Sequence, residues 1–243
     1  MAEQLAQMPS DWERALVIVA HPDDVEYGMA GAVAAWTAAG RDVGYVMVTS
    51  GEAGIAGLDP DRAGPIREQE QRRSAGLVGV SDVEFRRHAD GTIEEGVALR
   101  QDLTGIIRCR RPELVLTINH HDYWAPGRWN TADHRAVGRA VLDATADAGN
   151  EWLFRSLADE GLRPWSGVRW VGINASPLAT HAVDVTDTLD RAIASLAAHA
   201  TYVAALTNDD PHDYATTLLT NATTGAADRF GGRPAVTFEL VDR

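Results

Sequence analysis

A histidine, a proline and two aspartates stand together near the start of the chain, in the segment His21-Pro22-Asp23-Asp24. An imidazole and two carboxylates within four residues are costly to bring together unless a cation lies among them, and a divalent metal is the obvious candidate. His21 and Asp24 are three residues apart, so on a turn that enters a helix they point the same way, while Asp23 points elsewhere. The segment therefore predicts two metal ligands and one free carboxylate beside the same ion.

A catalytic metal site needs a third protein ligand and an open position. The best donor elsewhere in the chain is His134, in the run Asn-Thr-Ala-Asp-His-Arg at residues 130–135. Asp133 stands next to it and is a candidate acceptor for an imidazole N–H, because ligating histidines usually donate their other N–H to a carboxylate or a carbonyl. The alternative interpretation is that the segment from His21 to Asp24 only caps a helix.

Both segments follow apolar runs that are typical of buried strands. Residues 16–20 form an unbroken apolar run that ends at His21, and residues 114–118 form a second one that precedes the helical pattern of residues 131–148. Runs without polar alternation are expected of central parallel strands that are covered on both faces. In open α/β sheets, ligands collect at the carboxyl ends of such strands. We therefore expect His21 and His134 to lie at the same edge of one sheet.

Strand and helix patterns alternate along the rest of the chain. Further strands are predicted at residues 43–48, 83–87, 168–173 and 182–185, and further helices at 28–39, 66–77 and 96–109. We expect one long helix over residues 186–206 and an edge strand over residues 235–240. The pattern predicts an α/β fold with a mainly parallel sheet, formed by one domain that spans residues 1–243.

Composition excludes several functional classes. The 243 residues carry a formal net charge of -13, which argues against nucleic acid or an anionic membrane as a partner. Lysine is absent from the sequence, so Schiff-base chemistry and Walker-type phosphate binding are excluded. Cys109 is the single cysteine and cannot form an internal disulfide or a thiolate metal site.

Neither a signal peptide nor a membrane segment is visible in the sequence. The first residues show no basic segment followed by an apolar core, and no apolar run approaches the roughly 20 residues of a membrane helix. We therefore expect a cytoplasmic protein.

With these residues in view, the sequence resembles the LmbE-like, or PIG-L, family of metal-dependent N-deacetylases. Residues 21–26 (HPDDVE) are similar to the family's first-strand signature, and residues 49–52 (TSGE) are similar to its second-strand ending. The helix that follows Arg67 and the Asp133-His134-Arg135 triplet resemble two further family motifs. The resemblance spans at least residues 17–141.

The resemblance implies a Rossmann-like, mostly parallel sheet with helices on both faces. It also implies a zinc ion, or another divalent metal such as Fe²⁺, held by His21, Asp24 and His134. Asp23 would then be the general base, and Arg67 and Asp90 would hold sugar hydroxyls. The implied reaction removes an N-acetyl or other N-acyl group from an N-acetylglucosamine-type glycoside by zinc-activated water. The implied partner is thus a small N-acylated sugar, and the pattern is compatible with a homo-oligomer.

The sequence departs from the family pattern at one position. The distal motif usually reads His-Pro-Asp-His, whereas this chain has Thr131 in place of the first histidine. Either His120, His121 or His199 substitutes for it, or Asp23 handles both proton transfers.

This departure leaves two alternatives open. One is a degenerate family member that binds glycosides without cleaving them, and the other is a non-haem Fe(II) enzyme with two histidines and one carboxylate. Tyr123, Trp124 and Trp129 either line the sugar or aglycone site or belong to a packed loop.

Overall fold

The structure, a computed structural model, describes residues 3–243 and is built on an eight-stranded sheet. In chain order its strands are β1 (Ala6–Gln7), β2 (Arg14–Val19), β3 (Asp42–Thr49), β4 (Val83–His88), β5 (Leu114–Ile118), β8 (Trp170–Asn174), β9 (His181–Asp184) and β10 (Ala235–Asp242). Between β5 and β8, β6 (Tyr123–Ala125) and β7 (Arg128–Trp129) form a separate antiparallel hairpin.

The spatial order of the sheet is β1-β9-β10-β8-β5-β2-β3-β4. All of its pairings are parallel except those of β10, which runs antiparallel to both β8 and β9. The prediction of an α/β fold with a mostly parallel sheet is therefore confirmed. β2 and β5 are neighbours, so their carboxyl ends lie side by side at one edge.

Helices connect the strands. They are α1 (Asp24–Gly28), α2 (Ala30–Ala38), α3 (Pro60–Leu77), α4 (Val97–Arg110), α5 (Ala132–Ala148), α6 (Arg155–Asp159), α7 (Leu189–Ala197), α8 (Ala200–Leu206) and α9 (Pro211–Thr224), with a short 3₁₀ turn at Ala227–Arg229. Three of them begin with side-chain caps: Asp59 caps α3, Thr131 caps α5 and Asp210 caps α9. These residues accept hydrogen bonds from first-turn N–H groups that have no partner within the helix.

The apolar strands fill a core on each face of the sheet. Val17 and Val19 of β2 pack with residues of α2, α7 and α9. Leu16 and Ile18, which alternate with them, pack on the other face with residues of α4 and α5. Successive side chains of a strand point to opposite faces, so an unbroken apolar run buries both. This two-sided burial fixes β2, and with it the position of the residues that follow it.

Two expectations for single elements were wrong, and one hairpin was not predicted. Residues 186–206 form two helices, because the chain breaks after α7 and His199 becomes the N-cap residue of α8. β10 is not an edge strand but lies between β8 and β9. The segment after β5, which had no assigned element, contains the β6–β7 hairpin. Each difference depends on packing between segments that are distant in the sequence.

Across residues 3–243, the helices lack the combination of length and apolar character that is needed to cross a membrane.

We expect Leu116→Ala to lower the free energy of unfolding by about 2–5 kcal/mol, since it empties a filled core position. Leu116 is fully buried in β5. Leu178→Ala is the matched control, because Leu178 is 57% exposed and surface changes usually stay within about 0.5 kcal/mol. Urea denaturation of both variants measures the difference, and equal stabilities would contradict the assignment of Leu116 to the core.

Candidate active site

Three candidate metal ligands meet at the carboxyl edge of the sheet. His21 follows β2, Asp24 opens α1, and His134 lies in the first turn of α5. His134 Nε2 lies 3.0 Å from Asp24 Oδ1, and His21 Nδ1 lies 3.2 Å from His134 Nε2. One ligand atom from each residue falls within 4.8 Å of the others. Two imidazoles and a carboxylate at this spacing form a donor set that suits zinc or iron(II).

The imidazole of His21 is held from its other side by two carboxylates. Its Nε2 lies 3.1 Å from Asp90 Oδ1 and 3.2 Å from Asp133 Oδ2. Asp133 accepts hydrogen bonds from the N–H groups of Gly91 and Ile93 at 2.8 and 3.1 Å. Burial lowers the pKa of His21, but hydrogen bonds to the surrounding carboxylates, Asp133 first among them, outweigh burial and raise this pKa well above its usual value. The surroundings of His21 therefore favour positive charge.

Asp133 supports His21 rather than its neighbour in the sequence, His134. The Nδ1 atom of His134 lies 3.2 Å from Oδ1 of Asn130 instead. Asn130 is fully buried, and its amide also donates to the carbonyl of Asn119, just after β5, at 2.7 Å. Asn130 thus ties His134 to the end of the strand. This contact could not be predicted from the sequence, since an asparagine before a helix usually serves only as a cap.

Asp23 and Asp24 face different partners although they are adjacent. Asp23 has a φ of 91°, a left-handed conformation that aspartate tolerates better than most non-glycine residues. Its Oδ2 accepts from Arg67 Nη2 at 2.8 Å, and its N–H donates to Gln71 Oε1 at 2.8 Å. Burial raises the pKa of Asp23 to about 6, although the Arg67 guanidinium acts in the opposite direction. Asp24 points instead toward the two histidines.

Arg67 is buried beside Asp23. Its Nη1 donates to the carbonyl of Gly51 at 3.1 Å and its Nη2 to the carbonyl of Pro22 at 2.5 Å. Its guanidinium lies 4.1 Å from the ring centroid of Tyr202. Gly51 has a φ of 63°, and a Cβ there would lie 2.4 Å from Arg67 Nη1, so a side chain at this position would displace the guanidinium. Arg67 is thus largely engaged with the protein, and its contact with sugar hydroxyls stays a prediction.

Asp90, the other predicted sugar-binding residue, lines the same cleft. Its Oδ1 faces His21, and its Oδ2 accepts from the N–H of Ala53 at 2.8 Å. A carboxylate oxygen can accept a second hydrogen bond, so Asp90 retains the capacity to bind a hydroxyl, and this role also stays a prediction.

A buried polar layer, which was not predicted from the sequence, lies behind the Asp23 loop. Glu26 Oε1 accepts from Gln71 Nε2 at 2.9 Å and from Ser74 Oγ at 2.7 Å, and His199 Nε2 lies 3.6 Å from Glu26 Oε2. All four side chains are fully buried. The available signal was the helical spacing of Arg67, Gln71 and Ser74 on α3, which places them on one face. A helix as rich in charge as this one is usually solvated, so the spacing alone does not distinguish a buried polar face from an exposed one.

None of the three histidines proposed to replace the distal one lines the cleft. His199 is fully buried in the polar layer, His121 Nε2 lies 2.7 Å from Glu239 Oε2, and the ring of His120 stacks on that of His121. The Thr131 hydroxyl accepts from the N–H of His134 as the cap of α5. Within residues 3–243, therefore, His21 and His134 are the only histidines in the cleft lining, and no further histidine replaces the one that Thr131 substitutes in the distal motif.

The cleft has a volume of about 710 Å³ and contains the three candidate ligands, Asp23 and Asp90 in its lining. Of the three aromatic residues after β5, only Trp124 lines it, and its ring packs edge-on against His134 with centroids 5.2 Å apart. Tyr123 and Trp129 pack edge to face outside the cleft and are 47% and 60% exposed.

Known proteins share this sequence pattern and this fold. The PIG-L (GlcNAc-PI de-N-acetylase) family model matches residues 16–145, which is more than half of the chain. The diacetylchitobiose deacetylase of Thermococcus kodakarensis is 29% identical over 194 residues, and the match covers 78% of this chain and 70% of that protein.

Solved structures extend the likeness to almost the whole chain. One of them is the N,N'-diacetylchitobiose deacetylase of Pyrococcus horikoshii in complex with an inhibitor. It superposes on this chain with a TM-score of 0.84 at 25% sequence identity, and the match covers 96% of this chain and 85% of that chain. GalB, the 4-carboxy-2-hydroxymuconate hydratase of Pseudomonas putida, superposes with a TM-score of 0.73 at 19% identity over 95% and 97% of the two chains. The second likeness concerns the fold alone, which therefore does not by itself determine the reaction.

We expect His134→Ala to lose the bound metal, because it removes one of three ligands from an open site. Metal analysis of purified protein should show about one ion per chain in the wild type and almost none in the variant. His212→Ala is the control, since His212 is exposed on α9. Full occupancy in the His134 variant would remove this residue from the ligand set.

Proposed function

Because the chain belongs to the PIG-L family of de-N-acetylases, we propose that it removes an N-acetyl or other N-acyl group from an N-acetylglucosamine-type glycoside in a metal-dependent hydrolysis. The observation that carries this proposal is the convergence of His21, Asp24 and His134 beside Asp23 in one cleft. The cleft volume of about 710 Å³ suits a sugar-sized ligand. The metal is proposed to be zinc, with Fe²⁺ as the alternative, and one domain of residues 1–243 is proposed to carry the activity.

The metal ligands, Asp23 and Arg67 have different roles in amide hydrolysis. When bound by His21, Asp24 and His134, a divalent ion would polarise the acyl carbonyl and lower the pKa of a water toward ~7. Asp23 takes a proton from the attacking water as the new C–O bond forms, and it returns this proton to the amine nitrogen as the C–N bond breaks. Arg67 holds the Asp23 carboxylate in place. A positioned base typically contributes about 10²–10⁴-fold to the rate.

Substrate contacts are proposed for three further positions in the cleft. Arg67 and Asp90 would hold sugar hydroxyls, since a guanidinium offers only donors and a carboxylate only acceptors. Trp124 presents an aromatic ring that can pack against the apolar face of a sugar. These contacts would place the acyl group next to the metal ligands.

The position of Thr131 favours one alternative, a glycoside-binding protein without catalysis. Its hydroxyl caps α5, and an alcohol is too weak an acid to give a proton to the leaving amine. Acetate release from a panel of N-acetylglucosamine conjugates, measured beside equilibrium binding of the same compounds, separates the two functions. Binding of these glycosides without release of acetate would support the non-catalytic alternative. It would also mean that Asp23 does not carry out both proton transfers.

An iron(II) enzyme with two histidines and one carboxylate is the other alternative. Such sites usually occur on all-β scaffolds, whereas this chain has an α/β sheet. Oxygen consumption by the Fe²⁺-loaded protein would support it.

We expect Asp23→Asn to retain the metal and to lose turnover by about 10²-fold or more, because an amide cannot accept the proton of water. Asp24→Ala is the companion variant and should lose both metal and activity, since it removes a ligand. Metal content and kcat are measured on the same preparations. If Asp23→Asn loses the ion while Asp24→Ala keeps it, the two roles are reversed.

We expect Arg67→Met to lower kcat/KM by roughly 10–100-fold without emptying the metal site, because hydrogen bonds to charged groups contribute about 1.5–3 kcal/mol. Arg73→Met is the matched control, since Arg73 lies exposed on the same helix. Wild-type kinetics in the Arg67 variant would show that this residue serves neither Asp23 nor the substrate.

A further inference from the structure

A buried glutamine on α3 connects the Asp23 loop to a buried carboxylate. The side chain of Gln71 has no exposed surface, although glutamine usually lies at the protein surface. Its Oε1 accepts from the N–H of Asp23 at 2.8 Å, and its Nε2 donates to Glu26 Oε1 at 2.9 Å. Gln71 is not one of the described residues that line the cleft, so its connection to the cleft runs through Asp23.

These two contacts determine which way the Gln71 amide points. A carboxylate oxygen accepts hydrogen bonds, whereas a backbone N–H donates them. In the reverse orientation the amide oxygen would face the Glu26 carboxylate and the NH₂ group would face the Asp23 N–H, so both hydrogen bonds would be lost. Ser74 Oγ donates to the same Glu26 oxygen at 2.7 Å and holds this carboxylate from a second side. The oxygen of Gln71 is therefore directed at the Asp23 N–H.

The peptide group between Pro22 and Asp23 is bonded to α3 through both of its polar atoms. Its carbonyl oxygen accepts from Arg67 Nη2 at 2.5 Å, and its N–H donates to Gln71 Oε1. Arg67 and Gln71 are four residues apart and therefore lie on the same face of the helix. Turning this peptide group over would break both hydrogen bonds at once.

The backbone conformation that these bonds hold is sparsely populated. Asp23 has a φ of 91°, and a non-glycine residue keeps a positive φ only where the surrounding structure determines it. Turning the preceding peptide group over would bring the φ of Asp23 to a negative value, which is the ordinary range of an L-residue. The Asp23 carboxylate would then point in a different direction. The hydrogen bond from Asp23 to Gln71 opposes this change.

We propose that Gln71 is a positioning residue for the hydrolysis, because its amide holds the Asp23 backbone in the left-handed conformation that directs the carboxylate of the base. This inference rests on the proposed function. It differs from the role of Arg67, since the hydrogen bond that Gln71 makes with Asp23 is to the backbone N–H. A displacement of a reacting group by about 1 Å can cost about 10²-fold in rate. Gln71 therefore acts on turnover and not on metal binding.

Kinetics of metal-loaded Gln71→Met test this role, because methionine has a similar length but no amide. We expect kcat to fall by roughly 10–100-fold, while KM and the metal content stay at the wild-type values. Gln101→Met is the matched control that keeps the wild-type kcat: Gln101 is half-buried on α4, donates to Ser156 Oγ at 3.2 Å and is not among the described residues of the cleft lining. A wild-type kcat in Gln71→Met, or loss of its metal, would overturn the proposal.

An exchange of the amide and the carboxylate separates the hydrogen bond from packing, and it also serves if Gln71→Met does not fold. In Gln71→Glu alone, two carboxylates meet in the buried layer, and like charges disfavour each other there. Adding Glu26→Gln restores an amide that faces a carboxylate and still leaves an oxygen for the Asp23 N–H. We expect the double variant to recover most of the kcat that Gln71→Glu loses. Equal kcat in the single and the double variant would overturn the proposal.

Crystal structures of wild type and Gln71→Met keep this test separate from that of the proposed function. If the wild type releases no acetate from any N-acetylglucosamine conjugate, the deacetylase function fails, but the φ of Asp23 still reports on Gln71. We expect a positive φ in the wild type and a negative φ in the variant, with the preceding peptide group turned over. A positive φ in both proteins would overturn the role of Gln71.

Discussion

Neutralising buried negative charge is the constraint on which the arrangement of this protein depends. Four carboxylates, those of Asp23, Asp24, Asp90 and Asp133, lie within hydrogen-bond distance of a histidine or arginine side chain at one sheet edge. Removing an uncompensated carboxylate from water costs several kcal/mol, so the basic side chain beside each of these groups stabilises it there. Ion pairs, in addition to apolar packing, therefore fix the positions of the loops after β2, β4 and β5 relative to one another.

Helix α3 supplies the second half of this arrangement. Arg67 neutralises Asp23, while Gln71, one turn further along, accepts the N–H of the same residue and donates to Glu26. A residue with a φ of 91° is sparsely populated outside glycine and persists only where its surroundings determine it. The polar face of α3 does so here, and it thereby separates the direction of Asp23 from that of Asp24. A difference in proton chemistry between two identical side chains thus originates in one helix behind them.

The sequence predicted the parts of the site that depend on local pattern. Two local features could be predicted: the apolar run into His21 and Asp24, and the helix that starts before His134. Both follow from patterns of burial and spacing that repeat over a few residues. Contacts between segments that are distant in the sequence could not be predicted. Nothing near Asp133 shows that it meets His21 rather than His134, and the place of β10 follows from tertiary pairing. The break between α7 and α8 at His199 could not be predicted, because the apolar pattern continues across it.

The placement of β10 also bears on how the chain assembles. β8 and β9 are joined in the sheet only through β10, whose Phe238 is paired with Asn174 on one side and with His181 on the other. During synthesis, β8 and β9 leave the ribosome well before β10, and each then presents an unpaired backbone edge. Such edges template association between nascent chains. Because α7, α8 and α9 lie between β9 and β10 in the chain, both edges stay open until this helical segment has been synthesised and β10 can pair with them.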